Sequence, residues 1–183
     1  MCNELFDGPV VNLNEMMAAR EYRAFRQMEL LKTDPSNSLL SATMNIPGPV
    51  KVSAELRAIF STITDEVEEA TRDVIPLANL YLSEKTGLEY YLLVPLPALE
   101  LKRRMIAIEE QQPFGRLVDL DVLRLKDGHL EILGRKDLDL PRRKCFICER
   151  DAKECGRTRR HSVEEMQAKI IEIVKKGKEH RNV

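Results

Sequence analysis

Between Ser53 and Val74 the apolar residues Leu56, Ile59, Phe60, Ile63, Val67, Ala70 and Val74 recur every three or four positions among charged ones. A stripe of this kind belongs to a helix that must lay one face on another layer. Ser53 supplies a side-chain oxygen suited to capping its start. The flanking segments identify the other layer. Leu39 to Ile46, Leu77 to Ser83, Leu88 to Val94 and Leu117 to Leu125 are short apolar or alternating runs bounded by Pro, Gly and Asp, the pattern of strands. A second helix is expected with Pro97 as its first residue and an end near Gln111, with Leu101, Met105 and Ile108 inward; Pro113 and Gly115 stop it. The order strand, helix, strand, strand, helix, strand predicts an α+β sandwich of the split βαβ kind, βαββαβ, ferredoxin-like or palm-like.

Three additions frame this unit. An N-terminal helix is expected over 12–32, where Ala18, Tyr22, Phe25, Met28 and Leu31 have helical spacing. After Leu125, the turn Lys126-Asp127-Gly128-His129 leads into a return strand, Leu130 to Leu133. A loop rich in Cys and Arg then precedes a closing helix, in which Ser162 and Glu165 form a capping box and Val163, Met166, Ile170 and Ile173 or Val174 point inward. With 183 residues the chain suits a single domain, 1–183, with flexible ends at 1–11 and 176–183.

Charge narrows the possible partners. The net charge is −1, so a nucleic-acid or membrane surface is not expected to attract the molecule as a whole. Aromatic residues make up 5% and Trp is absent, which leaves little to stack on bases. The N-terminus lacks a basic, apolar leader and no long apolar run occurs, so a cytosolic protein is expected. Neither Gly-x-Ser-x-Gly nor His-Glu-x-x-His is present, which removes the serine-hydrolase elbow and the zincin helix.

Four places could carry chemistry. In Val118-Asp119-Leu120-Asp121-Val122 a period of two puts the three apolar residues on one face and both carboxylates on the other. Asp119 and Asp121 would repel unless a cation lay between them, and Mg²⁺ binds in this manner together with substrate phosphates. A solvated acidic strand face has the same pattern. Glu131, on the return strand, could complete a carboxylate cluster or be an exposed strand residue. The stiff turn Asn45-Ile46-Pro47-Gly48-Pro49-Val50-Lys51 leads to the Ser53 cap, where free N–H groups and Lys51 could hold phosphate; it is equally a plain turn.

From Arg142 to His161 the side chains are strongly basic, with Arg157, Arg159 and Arg160 near the start of the last helix, suited to a polyphosphate. Within that stretch Cys145, Cys148, Cys155 and His161 form a possible structural Zn²⁺ ligand set, although small thiols also pack without metal. His129 and His180 read as a turn and a tail residue.

The segments 44–51, 115–122 and 145–162, in this order, resemble the citrate lyase holo-acyl-carrier-protein synthase family, and the likeness spans about residues 12 to 175. The resemblance implies a nucleotidyltransferase-type enzyme whose donor is 2'-(5''-triphosphoribosyl)-3'-dephospho-CoA. The acceptor would be a serine of the citrate lyase acyl carrier protein (gamma subunit), and pyrophosphate would leave. Joined to the residue chemistry, it assigns Asp119 and Asp121 to Mg²⁺ and to deprotonation of the serine. Arg116, Arg157, Arg159, Arg160 and His161, with Asn45, Gly48 and Lys51, would bind the donor. Two other readings remain: the same transfer to a carrier of the malonate decarboxylase type, and a non-catalytic zinc-containing module that binds a nucleotide, RNA or a protein.

Overall fold

In the computed structural model, which describes residues 4–181, the helices are α1 (Leu13–Thr33), α2 (Ala54–Ala70), α3 (Ala98–Gln111), α4 (Ala152–Thr158) and α5 (Val163–Arg181). The strands are β1 (Ser38–Met44), β2 (Ala78–Glu84), β3 (Gly87–Val94), β4 (Val118–Lys126) and β5 (His129–Leu133). They form one antiparallel sheet in the order β2-β3-β1-β4-β5. The chain is therefore α+β, as the order of apolar patterns predicts. Among the described residues, no helix is long and apolar enough to cross a membrane.

The expected stripe of α2 is the heart of the larger core. Leu56, Ile59, Phe60, Ile63 and Val67 are buried, and Ser53 Oγ accepts the Leu56 N–H at 3.1 Å. They pack with Leu101, Met105 and Ile108 of α3 and Ile170 and Val174 of α5 against one sheet face, formed by Leu40, Ala42, Tyr90, Leu92, Val118, Leu120 and Val122. The other face has a smaller cluster of Leu39, Tyr91, Leu93 and Leu123, covered by Leu31 of α1. Much of the remaining contact between α1 and the sheet is polar. Arg23 and Arg26 pair with Glu89, and Gln27 donates to Ser41 at 3.0 Å. This is why Tyr22 and Phe25, despite their helical spacing with Leu31, are exposed.

Within 4–11, Leu5 is buried in the main core, its carbonyl accepts the Ser53 hydroxyl at 2.8 Å, and Val10 bridges Val50. The helix α5 continues to Arg181, with Gly177 against Phe114 and Lys178 paired with Glu55. Residues 1–3 and 182–183 lie outside the described residues. Pro97 is the cap of α3, one position before its first helical residue, with extended ψ of 132°. The basic loop contains a short helix, α4, whose start is capped by the Asp151 carboxylate accepting from Lys153 and Glu154.

Gly115 turns the chain from α3 into β4. A Cβ there would lie 2.5 Å from the Glu109 carbonyl oxygen and 2.7 Å from that of Ile108, both backbone atoms that cannot rotate aside. Gly115→Ala should therefore destabilise the protein by about 1–3 kcal/mol, the usual effect of overpacking. Urea unfolding of the variant beside the parent checks this.

Candidate functional site

Asp119 and Asp121 stand on the same face of β4, the one turned toward α1, and pair across the strands with Thr43 and Ser41. Alternation explains it, because Val118, Leu120 and Val122 are fully buried on the opposite face. Asp119 is partly open and Asp121 is exposed. Desolvation by the surrounding protein raises the pKa of both from the ordinary aspartate value, even though the Asp121 side chain as a whole is exposed. For Asp119, repulsion from Asp121 and Glu109 adds to the rise and Arg143 opposes it. For Asp121, Lys102 opposes the rise and Glu109 adds to it. Two acids with raised pKa on one face could hold a cation or accept a proton.

Around them lies a set of charged side chains that sequence patterns did not single out. Arg143 donates to Asp119 at 2.8 Å and to the carbonyls of Gly115 and Val118. Behind the strand, the buried Lys102 and Glu109 of α3 bond the carbonyl and N–H of Leu120, and Arg135 pairs with Glu109 at 3.2 Å. Lys102 and Glu109 are seven residues apart and flank the Leu101, Met105 and Ile108 stripe, a spacing that places them on the inward side of the helix. No local signal distinguishes Arg143 from its neighbours Arg142 and Lys144. Glu131 does not join the carboxylates: it pairs with Arg124 at 2.6 Å, on the face that carries Leu120 and Val122.

The Asn45 to Lys51 turn sits at the same end of the sheet. The Asn45 N–H donates to Leu117, and Gly48, at φ 87°, lies against Val163 and Gln167 of α5. A Cβ would approach Gln167 Nε2 to 2.8 Å, a flexible side-chain end that can move aside, so it is the positive φ that favours glycine there. Lys51 is half-buried and donates to the Ile46 carbonyl at 2.5 Å; burial, with Arg20 nearby, lowers its pKa. Arg116 donates to the Lys144 carbonyl and is thereby committed to holding the loop. Arg157, Arg159 and Arg160 are exposed around the C-terminal end of α4, with no ion-pair partner among the described residues.

Cys145, Cys148, Cys155 and His161 converge, with one ligand atom from each inside a 4.8 Å span. The Lys144–Asp151 bridge and the Cys145 N–H to Arg150 bond fold the first two thiols into a tight turn, while α4 brings Cys155 back onto them. Cys148 Sγ lies 3.4 Å from Cys155 Sγ and 3.2 Å from His161 Nε2. The group can hold a metal ion. A bond from the Arg150 N–H, with help from His161 and the other thiols, brings the Cys148 pKa down to about 6, whereas burial and its sulfur neighbours push Cys155 up to about 11.

Known proteins resemble this chain over most of its length. The model of a family described as apo-citrate lyase phosphoribosyl-dephospho-CoA transferase matches residues 11–177. A Streptococcus pyogenes serotype M18 protein, named "Probable apo-citrate lyase phosphoribosyl-dephospho-CoA transferase", is 47% identical over 175 residues, covering 95% of this chain and 91% of its own length. A Vibrio cholerae serotype O1 (strain M66-2) protein of the same name is 40% identical over 166 residues, covering 89% and 91%.

The two thiol pKa values give a directional test. At pH 7 in metal-free protein, Cys148 is mostly thiolate and Cys155 mostly thiol, so iodoacetamide should modify Cys148 first, and the rate should fall as pH drops through about 6. Peptide mass mapping after brief alkylation reads the order; equal labelling of Cys148 and Cys155 would contradict the assignment.

Proposed function

The chain belongs to the apo-citrate lyase phosphoribosyl-dephospho-CoA transferase family, and from that premise we propose that its transfer takes place on the Asp119 and Asp121 face of β4. It is a transferase that attaches the phosphoribosyl-dephospho-CoA group to the acyl carrier protein of apo-citrate lyase. Neither a carrier of another enzyme nor a non-catalytic binding module is favoured by that membership. The observation that carries the site assignment is the pair of acids on one strand face, open to solvent and beside cationic groups.

In the reaction we infer, the serine oxygen of the carrier bonds to the innermost phosphorus of the triphosphoribosyl donor. The bond to pyrophosphate breaks, and the hydroxyl proton passes to a carboxylate of the pair. The raised pKa of both acids suits that acceptance. Their like charges, on one face and adjacent in the pleat, also fit a shared Mg²⁺, which when bound would neutralise phosphate charge. The unpaired Arg157, Arg159 and Arg160 would face the triphosphate and its leaving group. Asn45 and Gly48 would shape the donor seat, with Lys51 and Arg116 contributing through the backbone they hold.

The Cys and His group is read as a structural Zn²⁺ site. Tetrahedral coordination with Zn–S bonds of about 2.3 Å sets ligand separations of roughly 3.8 Å. The cluster is compact enough to close on such an ion with small adjustments. Its role would be to fix the loop, with His161 then a ligand and not a proton carrier. The purified protein should contain about one zinc per chain by elemental mass spectrometry, and Cys155→Ser should lose it. The strand order β2-β3-β1-β4, in which β3 separates β1 from β2, supports a ferredoxin-like, palm-like reading extended by β5, in a single catalytic domain. Cysteines held as metal ligands and not in disulfides suit the expected cytosolic setting.

Asp119→Asn tests the site. Incubated with donor, apo-carrier and Mg²⁺, it should lower transfer by at least about 10³-fold while unfolding at the temperature of the parent protein. Intact mass of the carrier reads the added group, and near-normal transfer would remove Asp119 from the mechanism.

A further inference from the structure

Arg143 belongs to two parts of the molecule at once. Its carbonyl accepts the Ala152 N–H at 2.9 Å, so its backbone is built into the Cys and His knob, two residues before Cys145. Its guanidinium lies along β4. One terminal nitrogen donates to Asp119 Oδ1 at 2.8 Å, and the other serves the carbonyls of Gly115 and Val118 at 2.9 and 3.0 Å. The buried Nε has no hydrogen-bond partner and faces the Glu109 carboxylate at 3.8 Å. The arginine side chain is 19% exposed, against 42% for Asp119.

These contacts favour a fixed support over a mobile phosphate ligand. Swinging out to solvent would strip two backbone carbonyls of their donor and leave Glu109 with one fewer cation, each a loss of a buried partner. Only one oxygen of Asp119 receives the guanidinium bond. The planar fork fixes the plane of that carboxylate, an effect that a flexible ammonium reproduces poorly.

We propose that Arg143 is a positioning residue that holds Asp119 by one oxygen and directs the other toward the reacting groups. Through it, the folded knob sets the geometry of the aspartate strand. The proposal rests on the assignment of Asp119 to the transfer. It differs from that assignment in placing the effect in the orientation of the carboxylate, apart from donor binding.

The test compares Arg143→Ala, Arg143→Lys and Asp119→Asn in the carrier-modification assay, with kcat and donor KM measured separately. Misplacing the carboxylate should lower kcat of Arg143→Ala by about 10²-fold while donor KM changes by less than about threefold. Added guanidinium ion at tens of millimolar should restore about tenfold of that loss, and none of the loss in Asp119→Asn. Arg143→Lys keeps a cation at the position, and should be folded and defective in kcat even where the alanine variant is too unstable to assay. A kcat within about twofold of the parent in either Arg143 variant, or a loss confined to donor KM, overturns the positioning role. If Asp119→Asn is itself near normal, the site assignment fails; if it is inactive while both Arg143 variants are normal, only the positioning role fails.

Discussion

The peptide of Leu120 has its N–H and carbonyl on the edge of β4 that β5 does not reach, since the pairing of those strands begins at Val122. A buried backbone group without a partner costs about 1–3 kcal/mol, and α3 meets both needs with side chains. Glu109 accepts the N–H at 3.2 Å and Lys102 donates to the carbonyl at 2.8 Å. The two are 6% and 5% exposed and opposite in charge, so each also reduces the cost of burying the other. Closing the edge with side chains in place of another strand leaves room for Arg143 to reach Asp119. The position of the candidate site therefore depends on this substitution.

Much of the frame was legible because it rests on periodicity. The stripe of α2, the alternation of β4 and the Asp127-Gly128 turn are local patterns, and each forms near the expected position. The Cys spacing was legible too, since two residues between Cys145 and Cys148 allow a tight turn around a shared ligand. What escaped was set by distant contacts. Leu5 and Val11 look like an unremarkable start; the Ser53 hydroxyl and the main core hold Leu5, and the Val11 N–H donates to the Pro49 carbonyl. The choice of Arg143 over Arg142 is decided by the fold of the knob, which turns one toward β4 and leaves the other 81% exposed beside Asp151. The helix α4 is a different case. Its Asp151 and Glu154 are a local start signal that the density of charge obscured.

The two faces of the sheet divide the work. One buries a continuous core beneath α2, α3 and α5, and polar groups enter it mainly where the edge of β4 needs them. The other changes character along the strands. Its row of Leu39, Leu93 and Leu123 is apolar and lies beneath Leu31; the next, Ser41, Tyr91 and Asp121, is mixed; the next, Thr43, Glu89 and Asp119, is polar. The helix α1 follows the same change, from Leu31 against the leucines to Arg26 and Arg23 against Glu89. A carboxylate pair placed one row nearer Leu123 would have to be desolvated against hydrocarbon. At the polar end, Asp119 is partly open and Asp121 exposed, while the row of Leu39, Leu93 and Leu123 is fully buried beneath Leu31.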